Sequence, residues 1–247
     1  IELAYLDDLT HQEVAEKTGL PLIVATGFYW TEEPWMDAWD AEALAEYLIR
    51  DVRDGIEGTD TRAGILKCAT DRLGVTPLNK KLLQATARAH RLTGVPISTH
   101  TDVSNQSGLA QQDVFEECGV DLRRVVIGHC GDSEDLSYLE SILKRGSTIG
   151  MDRNGIDLIL PTKQRVDTIA ELCRRGWENQ MVLSHDASCF IDWFPKPLVE
   201  QTLPSWNYRH VSDAVIPALR ESGVSEQQIR SMTVENPRRI FEQQGSY

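Results

Sequence analysis

The sequence predicts an α/β fold of the (β/α)8 barrel type, and three observations support this prediction. Six short apolar runs rich in Val, Ile and Leu alternate with segments of helical periodicity. The nearly continuous hydrophobicity of the runs is typical of parallel strands that helices cover on both faces. Polar side chains capable of chemistry follow several different runs, which favours a barrel over an open doubly wound sheet.

The first predicted elements are a helix, a strand and a second helix. Thr10 begins a capping box, and the helix that it starts ends at Gly19. The apolar run Leu20–Tyr29 follows and is the first predicted strand. Asp40 then caps a helix over Ala41–Val52, whose apolar residues share one face.

A long helix separates the next two predicted strands, at Ala63–Cys68 and Val95–His100. Thr76 and Pro77 are typical of a helix start, and Gly94 is typical of the residue that follows a helix end.

Three more strands and two more helices complete the series. The strands are predicted at Arg124–His129, Thr148–Asp152 and Met181–Asp186, and the helices at Leu136–Arg145 and Arg165–Arg175. Such repetition requires parallel strands and crossover helices. A complete barrel has eight strands, whereas six are found, and residue 1 is Ile rather than Met. We therefore expect a single domain over residues 1–247 that lacks the first one or two barrel strands.

Composition and charge exclude several classes of protein. The 247 residues carry 25 basic and 38 acidic side chains, and this net charge of −13 argues against broad binding to nucleic acid or anionic membranes. No apolar stretch approaches the roughly 20 residues of a membrane span. The five cysteines contain no C-x-x-C pair, which indicates reduced thiols in a cytoplasmic protein.

Two histidines and an aspartate each close a predicted strand. His100 and His129 are one strand–helix unit apart, so neighbouring barrel strands would bring both imidazoles to one mouth. With Asp186 they form a set suited to a divalent metal, and the carboxylate could also accept a proton. Each residue taken singly also fits a structural role, as a buried histidine or a helix-capping aspartate.

Lys67 lies inside an apolar run, where burial of an ammonium ion is costly. One interpretation is a lysine that extends its charged end to solvent. The other is an amine that loses its proton near metals and becomes a nucleophile, a ligand or, after addition of carbon dioxide, a bridging carbamate. The composition does not choose between these interpretations.

Other candidates are interpreted as structural or solvated. His185 is expected to be structural because, on a strand, it faces away from the aspartate that follows it. His90, His11 and His210 are expected to be solvated. Trp193 and the other loop tryptophans are expected to form lids or pocket walls.

Five motifs occur in the order GILKCATD, PISTHT, VVIGHCGD, GMDRNG and LSHD. In that order they resemble the phosphotriesterase family of the amidohydrolase superfamily, nearest to the phosphotriesterase-like lactonases and actinobacterial homologues. The resemblance runs from about Leu20 to the end of the chain. It implies a (β/α)8 barrel with two divalent metals, Zn or else Co, Mn or Fe, in which a metal-bridging hydroxide opens lactones and promiscuously attacks organophosphates. It also implies a homodimer that acts on small esters or lactones.

The resemblance also implies roles for individual residues. Lys67 matches a carboxylated lysine that bridges the metals, and His100 and His129 match ligands of the more exposed metal. Asp186 matches a ligand of the buried metal that also accepts a proton.

Three further residues match positions that shape the family's substrate site. Tyr29 and Arg153 match residues that orient the substrate, and Trp193 matches an aromatic residue over the leaving-group pocket. The family's His-x-His metal pair is absent from these 247 residues. Two alternatives therefore stay open: an amide, carbamate or phosphoester hydrolase on the same centre, and an inactive barrel.

Overall fold

The computed structural model describes residues 8–188, 195–242 and 245–247. The chain divides into two compact units. The first contains Ile1–His100, Ala110–Val125 and Phe241–Tyr247, and the second contains Thr101–Leu109 and Val126–Ile240. Among the described residues, no helix has the length and apolar character that crossing a membrane requires.

All six predicted strands are present, and each is shorter than the apolar run that predicted it. Their bounds are β1 Ala25–Gly27, β2 Ile65–Ala69, β3 Ile97–His100, β4 Val125–Ile127, β5 Thr148–Met151 and β6 Met181–Leu183. The first run shortens most, because Leu20, Leu22 and Ile23 lie exposed ahead of β1. Strand bounds follow backbone pairing, which an apolar run alone does not define.

The helices contain the five that the sequence predicts. Their bounds are α1 Asp8–Thr18, α2 Pro34–Asp37, α3 Ala41–Arg53, α4 Pro77–Thr93, α5 Ser107–Glu117, α6 Leu136–Lys144, α7 Thr162–Arg174, α8 Lys196–Thr202, α9 Ile216–Glu221, α10 Glu226–Arg230 and α11 Asn236–Glu242. The Asp40 side chain accepts a hydrogen bond from Ala43 N–H at the start of α3, and Thr76 caps α4 in the same way. Gly94 ends α4 in the left-handed conformation.

In the first unit, β1, β2 and β3 pair in parallel. Gly27 lies opposite Lys67, and Ala69 lies opposite His100. A Cβ atom on Gly27 would stand 1.9 Å from the carbonyl oxygen of Lys67, so the close approach of the two strands requires glycine here. The register places the candidate side chains at the carboxyl ends of the strands.

In the second unit, β4, β5 and β6 pair in parallel, with Ile149 opposite both Ile127 and Met181. These three side chains are completely buried. Helices α6 and α7 contribute further buried apolar residues, which explains why their sequences show a helical stripe.

Two features of the first unit differ from expectation. Helix α5 was not among the predicted helices, and its buried Gln111 and Gln112 explain why no clean apolar stripe marks it. His90 was predicted to be solvated, and that prediction is wrong. Its side chain is completely buried, with Nδ1 2.7 Å from the carbonyl oxygen of Val95 and Nε2 2.7 Å from the hydroxyl of Tyr247.

Candidate active site

In the first unit, candidate residues gather at the carboxyl ends of β1, β2 and β3. The Tyr29 ring meets the His100 ring edge-on at 5.1 Å, and the Tyr29 hydroxyl lies 3.3 Å from His100 Nδ1. Half-buried Lys67 donates a hydrogen bond from Nζ to the carbonyl oxygen of Thr99 on the neighbouring strand, at 3.0 Å. The structure thus brings Tyr29 and His100 into direct contact and ties Lys67 to β3.

The polar contacts of His100 determine which ring nitrogen carries a proton. Nε2 lies 3.4 Å from a carboxylate oxygen of Asp71. Since a carboxylate only accepts, these contacts favour the neutral tautomer with its proton on Nε2, in which Nδ1 accepts from the Tyr29 hydroxyl. Buried Gln111 donates to the carbonyl oxygen of His100 at 2.8 Å, which holds the end of β3 in place.

In the second unit, His129 is fixed by Asp152. The backbone N–H of His129 donates to Asp152 Oδ2 at 2.9 Å, and its Nδ1 lies 3.0 Å from Asp152 Oδ1. The carboxylate therefore receives the Nδ1 proton, and the lone pair of the neutral ring is on Nε2. This arrangement is the one that second-sphere carboxylates impose on metal-binding histidines.

Arg153 connects two carboxylates of the second unit. Its Nη1 donates to Asp132 Oδ2 at 2.9 Å, and its Nε lies 3.4 Å from Asp186 Oδ2. Asp186 Oδ2 is also 3.9 Å from Nδ1 of His129. The structure thus brings His129, Arg153 and Asp186, three predicted site residues, into one cluster.

Burial and charge act in opposite directions in this cluster. Burial works against the charge of Arg153, but the carboxylates of Asp132, Asp152 and Asp186 outweigh it and raise the pKa of the guanidinium. Burial raises the pKa of Asp132, and the positive charges of Arg153 and Arg165 oppose that rise. The carboxylate groups and the guanidinium groups therefore depend on one another for their charge.

Backbone strain occurs in the cluster of His129, Arg153 and Asp186. Within the part of the chain that is described, five non-glycine residues have φ in the left-handed region, and three of them are His129 (61°), Arg153 (57°) and Asp186 (54°). Such conformations cost about 1–3 kcal/mol each and persist where surrounding contacts impose them, often at functional sites.

The neighbouring thiols are structural, as their apolar surroundings suggest. Burial raises the pKa of the Cys68 thiol to about 12, and it also raises that of Cys130 well above its ordinary value. A buried thiol that keeps its proton is a poor nucleophile and a poor metal ligand.

Sequence reasoning gave no role to Asp71 or Asp132, noted Asp152 only as a polar residue at a strand end, and gave no role to Arg165. The first three stand inside the motifs LKCATD, HCGD and MDRNG, so the signal was a carboxylate repeated close after a strand end. Arg165 carried no signal, because an arginine on an amphipathic helix is ordinarily exposed. Trp193 lies outside the described residues.

The donor types suit a divalent cation. Imidazole and carboxylate are ligands for Zn and related metals, and Nε2 of His129 carries a lone pair. His100 would have to exchange its contact with Asp71 or Tyr29 to bind a metal. Within residues 8–188, 195–242 and 245–247, no group of three or more His, Cys, Asp or Glu side chains is already arranged to hold a metal ion.

The chain is similar in sequence to known proteins of one family. The profile of the phosphotriesterase family matches residues 6–241. An aryldialkylphosphatase of Saccharolobus solfataricus is 37% identical over 234 residues, which cover 93% of this chain and 74% of that protein.

Two solved structures share the fold. The phosphotriesterase from Mycobacterium tuberculosis is 48% identical, with a TM-score of 0.89 over 91% of this chain and 72% of that one. A structure from the engineering of organophosphate hydrolysis in a weak promiscuous lactonase template is 33% identical, with a TM-score of 0.87 over 96% of this chain and 77% of that one. These likenesses confirm the predicted α/β barrel class, and the chain belongs to the phosphotriesterase family.

Proposed function

We propose that this chain is a metal-dependent hydrolase that opens lactones and promiscuously cleaves organophosphate triesters. The observation that carries the proposal is the cluster of His129, Arg153 and Asp186, in which Asp152 fixes the imidazole and a guanidinium contacts the carboxylate. Similarity to an aryldialkylphosphatase and to a promiscuous lactonase template supports the substrate classes.

The proposed metal ligands are Lys67, in carboxylated form, His100, His129 and Asp186. Zinc is the first choice, since imidazole and carboxylate suit it, and Co, Mn or Fe are also accepted by such ligands. Two divalent cations held there would polarise the carbonyl or phosphoryl oxygen of the substrate and lower the pKa of water.

The contacts of Asp186 and His129 suggest which group accepts a proton and which ring nitrogen of His129 binds the metal. Asp186 is proposed to accept a proton: its side chain is partly buried, and its Oδ2 lies 3.4 Å from Arg153 Nε and 3.9 Å from His129 Nδ1. His129 keeps one tautomer because Asp152 binds its Nδ1 proton. Both groups are held in place before substrate arrives, which lowers the cost of reorganisation during the reaction.

Substrate orientation is proposed for Tyr29, Arg153 and Trp193. The Tyr29 hydroxyl can donate to a carbonyl or leaving-group oxygen when it leaves His100 Nδ1. Arg153 retains further guanidinium donors beside those that contact Asp132 and Asp186. Trp193 is proposed as an aromatic wall, as the family resemblance implies.

An assay of the full-length protein tests this function. Initial rates on an acyl-lactone, on paraoxon and on an acyl amide should be highest for the lactone and measurable for paraoxon. Treatment with a chelator should abolish both activities, and added Zn or Co should restore them. Asp186→Asn should be inactive, whereas Asp167→Asn, which removes an exposed charge paired with Lys163, should retain full activity.

A second candidate is a barrel of different specificity or without activity. It is favoured by the absence of a His-x-His pair from these 247 residues. Faster turnover of the amide than of the lactone would support a different specificity, and no turnover with no bound metal would support inactivity.

We also propose that the protein is cytoplasmic, on its cysteine usage, and a homodimer, on the family resemblance. In the described chain Cys68, Cys118, Cys130 and Cys173 are free thiols, as a reducing compartment allows. Sedimentation velocity of the full-length protein would test the dimer, and a concentration-independent monomer would contradict it.

A further inference from the structure

Arg165, in the first turn of α7, has a side chain that is completely buried. A buried guanidinium is stable only if its donors and its charge are matched. Nε donates to the carbonyl oxygen of Leu160 at 2.9 Å and Nη1 to that of Asp152 at 3.1 Å, while Nη2 lies 2.7 Å from Asp132 Oδ1 and 3.5 Å from the carbonyl oxygen of Ile156. One side chain thus joins α7, the loop before it, the end of β5 and the turn after β4.

Two of these contacts lead to Arg153. The carbonyl group of Asp152 belongs to the peptide unit that precedes Arg153, and the orientation of that unit sets φ of Arg153. This φ is 57°, a conformation that arginine rarely adopts. The hydrogen bond from Arg165 Nη1 to the carbonyl oxygen of Asp152 therefore stabilises the peptide orientation that this φ requires.

The second connection runs through Asp132. Its carboxylate lies between two guanidinium groups, with Oδ1 2.7 Å from Arg165 Nη2 and Oδ2 2.9 Å from Arg153 Nη1. The Asp132 side chain is 5% exposed, so little water competes for either oxygen. Arg165 fixes one edge of the carboxylate, and the other edge then defines where Arg153 can bind.

The geometry points to Arg165 as a positioning residue that holds Arg153 in the conformation that reaches Asp186. Arg165 acts through the peptide before Arg153 and through the Asp132 carboxylate. None of the four contacts of Arg165 described above is with Asp186. The consequence for turnover rests on the proposed hydrolase function, whereas the consequence for Arg153 geometry does not.

A double-mutant cycle separates this role from a general structural one. Arg165→Lys keeps the charge but loses the fork of donors, and Arg174→Lys is the matched control, since Arg174 makes an exposed ion pair with Glu171 on the same helix. We expect Arg165→Lys to lower kcat/KM for the lactone about tenfold and Arg174→Lys to change it less than about twofold. Added to Arg153→Lys, Arg165→Lys should cost less than about a further twofold, because Arg153, the side chain that it positions, is already altered. Full additivity of the two single losses would overturn the proposal.

A spectroscopic readout does not depend on turnover. The Arg153 Nε–H resonance of the folded protein, identified by its loss in Arg153→Lys, should shift or broaden in Arg165→Lys and stay unchanged in Arg174→Lys. If Arg165→Lys does not fold, Arg165→Gln takes its place, because it removes the buried charge and the fork of donors without touching a direct partner of Arg153. A wild-type protein without lactone turnover would refute the proposed function alone, whereas an unchanged Arg153 resonance would refute the positioning role.

Discussion

His129 and Asp152 are joined by two contacts, one from the backbone N–H of the histidine and one from its imidazole Nδ1, at 2.9 and 3.0 Å. The first contact fixes the chain just beyond β4, where His129 has a left-handed φ of 61°. The second fixes the tautomer of the ring. One carboxylate thus sets both the position and the chemistry of a proposed metal ligand.

Asp152→Asn should weaken metal binding by about 10- to 100-fold, because an amide can present a donor to Nδ1 and so favour the wrong tautomer. Metal affinity measured by competition with a chromophoric chelator checks this expectation. Asp213→Asn removes an exposed carboxylate paired with Arg209 and serves as the control. Equal affinities of the wild type and Asp152→Asn would show that Asp152 has no such role.

Lys67→Ala should lose bound metal and lactone turnover together, since the proposed bridging group is built on the Lys67 amine. Lys80→Ala, which removes an exposed partner of Glu117, should keep both. Elemental analysis alongside the lactone assay measures the two properties on one sample. Two metals per chain retained in Lys67→Ala would refute the bridging role.

Gly27→Ala should unfold or severely destabilise the protein, by about 3 kcal/mol or more, because the new Cβ would stand 1.9 Å from the carbonyl oxygen of Lys67. Gly58→Ala provides the comparison: its φ is 79°, but no atom lies within 4 Å of the added carbon. The left-handed conformation alone should cost about 1 kcal/mol there. Urea unfolding of the two variants tests the difference, and similar losses would contradict the close-approach argument.

Stability should fall as the pH drops below about 6.5, and part of this fall should come from His90. Burial lowers the pKa of His90 below the 6.5 of an exposed histidine. Below pH 6.5 the unfolded chain therefore binds a proton that the folded chain does not, which favours unfolding; above 6.5 both states are neutral and the effect vanishes. The pKa values of His185 and His210 are also lowered by burial and act in the same direction.

The His90 contribution is isolated by His90→Gln. The urea midpoint of this variant should change less between pH 7 and pH 5 than that of the wild type. His210→Gln, at a less buried site, is the comparison. An identical pH dependence in the wild type and His90→Gln would show that His90 is protonated equally in both states.

The sequence predicted the six strand segments and the residues at their ends because both follow from local patterns. Apolar runs mark β1 to β6, and residues such as His100 and His129 stand directly at their ends. The end of α4 was predicted from Gly94, because the left-handed conformation that follows a helix end favours glycine.

What the sequence did not reveal depends on contacts between distant residues. In helix α5 the buried Gln111 side chain donates to the carbonyl oxygen of His100. Because the buried face of this helix contains polar residues, the sequence shows no apolar stripe from which the helix could be predicted. His90 is buried because Tyr247, 157 positions later, covers it. Arg165 is buried because Asp132 matches its charge and three carbonyl groups accept its hydrogen bonds, and no local pattern encodes such a match.

The most direct test of the central claim is the metal content of the full-length protein, purified without added chelator and measured by inductively coupled plasma mass spectrometry. We expect about two divalent metal ions per chain, with lactone turnover that rises in proportion to metal content. Lactone turnover by protein that contains no bound metal would contradict this expectation.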